Sequence, residues 1–168
     1  MVEIKTLSFG EQFAYKGLID VSGLYKILEK WLSENGYDKA EIWNFEEVYE
    51  DGKQLTWKFE PYKKISDFAK IIIRIEGSLK NLKETTIEKD GLKTKLMRGE
   101  AKFKFDVFMV TDYENYWGTK PMYFFLRTLA DKFLYRSYID KYEDIALADR
   151  DNLKREIKSF LNMQRYAH

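Results

Sequence analysis

Apolar residues fall at helical spacing in three stretches of this chain and in extended, alternating runs through most of the rest. Val21, Leu24, Ile27, Leu28, Trp31 and Leu32 share one helical face; Asp20 supplies an N-cap before them and Asn35-Gly36 a left-handed stop after them. A second stripe, Met122, Phe125, Leu126, Leu129, Phe133 and Ser137, lies opposite Arg127, Asp131 and Tyr135, with Thr119 as cap and Pro121 in the first turn. After a break around Tyr142 to Ala148, Asp149 or Asp151 can cap a further helix, 149–165, whose one face carries Leu153, Ile157, Phe160 and Leu161.

The extended runs carry their own punctuation. Val2 to Lys16 reads as one strand bent at Gly10. Asp51-Gly52 suits a two-residue turn and sets Ala40 to Glu50 against Lys53 to Glu60, so that Val48 faces Leu55, Glu46 faces Trp57 and Asn44 faces Phe59. That register places two polar residues, Asn44 and Glu46, among apolar neighbours on the expected inner face. Asp90-Gly91 joins two long runs, Asp67 to Lys89 and Leu92 to Asp112. Sliding their tip register by one residue matches Ile71 with Met109, Ile73 with Val107 and Ile75 with Phe105. The same slide sets Lys80, Glu76 and Arg74 against Glu100, Lys104 and Asp106. Both faces improve together only if a bulge near Asn81-Leu82, opposite Gly99, absorbs the slide.

These elements predict a single α+β domain over 1–168. A curled antiparallel sheet of about five to six strands packs on a long C-terminal helix, beside an N-terminal helix and an additional terminal one, 149–165, that is peripheral or partner-binding. With 168 residues, 45% of them hydrophobic, one core is affordable. Twelve Tyr, twelve Phe and four Trp exceed what a compact core of this size needs, so some rings are expected on a surface or around a cavity. The abundance of Lys and Glu within a 34% charged fraction is a hint of heat-adapted origin.

Charge and chemistry narrow function mostly by exclusion. No cysteine is present and the one histidine is His168, which removes thiolate metal sites, cysteine nucleophiles and most imidazole chemistry. No P-loop, dinucleotide or calcium-loop pattern occurs, so no metal, cofactor or catalytic residue is assigned, and an enzyme is the weaker expectation. A net charge of +1 argues against nucleic-acid binding through bulk charge. The charge is nevertheless uneven: Lys80 to Lys104 holds eight basic against four acidic residues, and Asp38 to Asp51 six acids against Lys39 alone. A solvated ladder of ion pairs is the simpler reading of the basic hairpin, whose Lys93, Lys95 and Arg98 lack interleaved aromatics. The first residues lack a leader pattern, and four charges interrupt the apolar stretch Pro121 to Ile139. A transmembrane segment is therefore not expected, and a cytoplasmic location is.

The order strand, helix, antiparallel strands, long helix, over about Val2 to Tyr142, resembles the helix-grip architecture of START-related and pollen-allergen-like lipid-binding proteins. The resemblance rests on topology, without a diagnostic motif. It implies non-enzymatic binding of a hydrophobic or amphipathic small molecule between sheet and helix. The candidate residues are Trp57, Phe59 and Phe105 as wall, Asn44 and Glu46 as orienting groups, and Trp117, with Tyr113 and Tyr116, at the mouth. The alternative is a structural or adaptor module that binds a protein or a second copy through Leu153, Ile157, Phe160 and Leu161, the exposed aromatics or the charged hairpins.

Overall fold

In the computed structural model, which describes residues 2–66, 69–111 and 135–165, the chain begins with a single bent strand, β1 (Glu3–Ile19). Its pairing slips between Thr6 and Ser8 and again between Ser8 and Glu11, and Gly10 takes φ 81°, so the predicted kink is a real irregularity. Helix α1 (Val21–Glu34) follows at once. The Asp20 carboxylate accepts the Gly23 N–H at 3.0 Å, and Gly36 at φ 75° ends the helix, as the capping residues predict.

Strands β2 (Glu41–Tyr49), β3 (Gly52–Phe59), β4 (Tyr62–Lys64), β5 (Ala69–Lys89) and β6 (Leu92–Thr111) complete an open antiparallel sheet of order β1-β6-β5-β3-β2, with β4 on β5 beyond the end of β3. Three-residue β4, too short to show alternation, is not among the expected elements; it sits beside Pro61, a residue that ends the preceding run. In the long hairpin every predicted pair is present: Ile71 with Met109, Ile73 with Val107, Ile75 with Phe105, Arg74 with Asp106, Glu76 with Lys104 and Lys80 with Glu100. The register then shifts between Lys80 and Lys83, with Asn81 at φ 55°, placing the bulge where two-faced matching requires it.

The first hairpin corrects its prediction. Tyr49 pairs with Gly52 and Glu46 with Leu55, so the turn is Glu50-Asp51 and the register lies two residues from the expected one. A slip of two preserves the faces but changes the partners, which is why alternation could not detect it.

Both helices cover one face of the sheet, the inner one. Leu55, Trp57 and Phe59 of β3, the Ile71, Ile73, Ile75 row of β5 and Phe103, Phe105 and Val107 of β6 are buried there, against Leu24, Leu28 and Trp31 of α1. Each such side chain contributes roughly 1.5–3 kcal/mol by leaving water. The second helix, α2 (Tyr135–Arg165), is continuous through the expected break. Ala146, Leu153, Ile157 and Leu161, spaced seven, four and four positions along it, share one face and are fully buried. Asp149 and Asp151 are mid-helix rather than caps. Asp149 accepts the Tyr37 hydroxyl at 2.8 Å, and Asp151 pairs with Arg150 at 2.9 Å. Nothing between Tyr142 and Ala148 breaks a helix: the run contains no Gly or Pro. The stripe 119–137 falls outside the described residues up to Tyr135, as do Tyr113, Tyr116, Trp117 and His168.

Polar contacts fix α2 in place. Trp31 Nε1 donates to Asn152 Oδ1 at 2.7 Å, Arg150 to Ser8 Oγ at 2.5 Å, and Lys154 and Lys5 reach Glu11 and Glu143, each at 2.6 Å. The Lys154 ammonium holds the Glu11 carboxyl below its usual range. Tyr37, buried against Asp149, has its phenol pushed up, first by burial and then by the carboxylate. The fully buried Asp106 accepts the Gly10 N–H at 2.8 Å and faces Arg74, whose Nε also donates to Glu60 at 2.9 Å. The β1 kink is thereby tied to a charged pair on the neighbouring strands.

Candidate functional site

The residues expected to line an interior site separate into two groups. Asn44 and Glu46 are exposed on β2, the edge strand, and Glu46 pairs with Lys53 at 2.5 Å. Both are open to solvent rather than enclosed among apolar neighbours. Trp57 and Phe105 are completely buried and Phe59 is 3% exposed. A void of ligand size against these rings would leave accessible surface on them, so the wall residues stand in a filled core. Phe105 also lies apart from the others, stacked 6.1 Å from Phe13 toward β1.

One residue that the sequence reading passed over links the two groups. Tyr25 of α1 sits 6.0 Å from Trp57 and 6.5 Å from Phe59 by ring centroids, and its hydroxyl faces the Asn44 side chain. Burial raises its phenol, Asn44 opposes that shift, and the carboxylates of Glu41 and Glu46 add to it. The signal was present, since 21, 25, 28 and 32 is itself helical spacing. Beneath this cluster the Trp57 indole N–H is buried without a hydrogen-bond partner, and Gly77 opens the space its ring occupies.

The expected partner stripe is also corrected. Leu153, Ile157 and Leu161 are fully buried and Phe160 packs partly buried against the same core. Helix 149–165 therefore belongs to the domain, and this face has no surface to offer a partner.

Exposed apolar surface lies instead on β2. Ile42, Phe45, Val48 and Tyr49 are 51%, 59%, 76% and 52% exposed, and Trp43 stacks on Phe45 at 5.5 Å. The outer face of the sheet, away from the helices, carries two adjoining grooves. One of about 420 Å³ is bordered by Ala14, Lys16, Ser78, Lys80, Glu100 and Lys102. The other, of about 530 Å³, shares Lys16 and Glu100 with it and continues past the bulge to Lys83 and Arg98.

Among the described residues no cluster of three or more His, Asp or Glu is arranged to hold a metal, and no helix is long and apolar enough to cross a membrane. Compared with protein-family models, curated proteins and solved structures, the chain matches none.

Proposed function

We propose that this domain is a non-enzymatic interaction module whose contact element is the edge strand β2. The observation that carries this reading is the exposure of β2: eight of its nine residues are exposed, five of the nine are apolar or aromatic, and among the described residues no strand pairs with its outer backbone edge. Edge strands of this kind invite a further strand, and natural sheets usually blunt them with lysine, proline or a bulge. Here the nearby charges are acidic: Glu41, Glu46 and Glu47 on the strand, Glu50 and Asp51 in its turn. Two copies of β2 laid against each other would juxtapose carboxylates, which disfavours self-pairing and selects a strand bearing Lys or Arg.

An extended peptide alternating lysine and valine should bind with a micromolar Kd, read by fluorescence anisotropy, and its glutamate–valine counterpart should not. Phe45→Lys with Val48→Lys should weaken binding at least tenfold without changing the melting temperature. Equal binding of both peptides, or indifference to the paired substitution, would refute the reading.

A second reading, interior binding of an apolar or amphipathic small molecule as the helix-grip resemblance implies, is favoured by one observation, the unpartnered Trp57 N–H beneath Tyr25 and Asn44. Such a ligand would have to displace Tyr25 and accept that hydrogen. Native mass spectrometry of protein purified gently from its own host should then show a small-molecule adduct that Trp57→Phe abolishes; a bare chain removes this reading.

A further inference from the structure

The outer face of the sheet concentrates positive charge that the overall composition conceals. Its side chains form transverse rows, each set by strand register. One row runs Trp43, Lys58, Glu76, Lys104, Gln12, and the next runs Phe45, Thr56, Ser78, Lys102, Ala14. Beyond them lie Lys80, Glu100 and Lys16, then, past the bulge, Lys83 opposite Arg98. Across β3, β5, β6 and β1 these rows hold seven cations against Glu76 and Glu100. Each of the two acids is already engaged, Glu76 with Lys58 at 3.9 Å and Glu100 with Lys16 at 3.8 Å. The one other acid bordering the grooves, Glu84, pairs with Lys95 at 3.1 Å.

Four cations, Lys80, Lys83, Arg98 and Lys102, have no acidic partner within 4.0 Å among the described residues, and all four are exposed and border the two adjoining grooves. An unneutralised row of this kind costs electrostatic energy and is relieved by a polyanion that tracks it. The same face carries flat rings at both margins. Trp43 and Phe45 stack on each other at the β2 edge, and at the β1 edge Phe9, 68% exposed, lies 4.3 Å beneath the Lys104 ammonium. Between Phe45 and Lys102 the row holds only the hydroxyls of Thr56 and Ser78, donors suited to phosphate or sugar oxygens.

We infer that the outer face of this sheet binds single-stranded nucleic acid, with the phosphates along Lys80, Lys83, Arg98 and Lys102 and bases stacked on Phe45 and Trp43. A polyanion alone would account for the cations. The exposed rings are what select a ligand with π-faces over an acidic peptide or an anionic bilayer. The near-zero net charge, which argues against nucleic acid in bulk, is the sum of this basic face and an acidic remainder. Its charge contacts lie on the other strands, off β2, while Phe45 and Trp43 are shared with the strand-addition reading; the Lys80 and Lys102 substitutions therefore test the basic face by itself.

The test is fluorescence anisotropy with labelled oligothymidylate of about ten nucleotides, a length within the range one sheet platform covers. An abasic oligomer of equal length, polyglutamate and phosphatidylglycerol vesicles serve as rival ligands. The expected result is micromolar binding whose logarithm falls with the logarithm of salt concentration at a slope of about −2 to −3, as for three to four phosphates neutralised. Lys80→Gln with Lys102→Gln should weaken it about tenfold or more and reduce the slope by about 1.4. Phe45→Ala should weaken oligothymidylate about tenfold and leave the abasic oligomer unchanged. All these side chains are at the surface, so thermal melts should coincide with that of the parent chain. Absence of salt-dependent binding would overturn the inference. Binding of polyglutamate, vesicles or the abasic oligomer as tight as oligothymidylate, unaffected by Phe45→Ala, would also overturn it and assign the face to a protein or a membrane.

Discussion

Gly77→Ala is expected to destabilise the fold by about 3 kcal/mol, near the upper end of what overpacking costs. A β-carbon at this position would stand 2.3 Å from two atoms of the Trp57 indole, well inside contact distance. The ring has no room to retreat: Trp57 is completely buried, stacked 4.8 Å from Phe59 and tilted 5.9 Å from Phe103. Urea unfolding followed by circular dichroism gives the loss as a lowered midpoint. Shrinking the ring is the diagnostic step. Trp57→Phe alone should cost no more than about 1–2 kcal/mol, since it removes a buried N–H that has no partner along with the indole volume. In that background Gly77→Ala should cost about 1 kcal/mol, a coupling of roughly 2 kcal/mol between the two sites. Additive losses would mean that the ring does not fill the space above Gly77.

The second large effect distinguishes a helix face that belongs to the core from one held out for a partner. Ile157 is fully buried on α2, so Ile157→Asp should cost about 4–5 kcal/mol and leave little cooperative unfolding. Glu156→Lys, one position away and exposed, should change stability by less than about 0.5 kcal/mol. Were the Leu153, Ile157, Leu161 stripe a docking surface, Ile157→Asp would preserve the melting temperature and alter only association.

These two contrasts mark where sequence reasoning held and where it stopped. The bulge at Asn81-Leu82 was legible because β5 and β6 constrain each other on two faces at once. Isoleucines must meet apolar partners while Lys80, Glu76 and Arg74 meet opposite charges, and one slide satisfies both. The cap at Asp20 and the kink at Gly10 were legible because the deciding chemistry lies within a few residues. The β2–β3 turn was not, since Glu50-Asp51 and Asp51-Gly52 give the same alternation and differ only in backbone detail. Burial on β2 was also out of reach. Asn44 and Glu46 share a face with buried Trp57, yet whether that face is enclosed depends on how far α1 extends across the sheet, which periodicity does not report. The same holds for α2: Leu153, Ile157 and Leu161 announce an apolar stripe, and only tertiary packing says what covers it. On the outer face the lysines were countable; of the ion-pair ladder expected within the basic hairpin, Lys95 pairs with Glu84 among the described residues, while Glu100 turns to Lys16 of β1. What the linear count concealed is that Trp43 and Phe45, far away in the chain, belong to the same surface.

The pairing of β1 with β6 sets an order of events during synthesis. Each paired residue of β1 finds its partner about 80 to 110 positions later in the chain, between Met97 and Thr111. At ribosomal rates of about 5–20 residues per second, the strand waits roughly 5–20 s after its own translation before β6 exists. During that interval Leu7, Phe13 and Ile19 have no sheet to enter, while α1 and then the β2–β3 hairpin can form from local sequence. Made before the other strands of its sheet, β1 is thus among the last to be secured, and until then it is open to wrong pairing or chaperone capture.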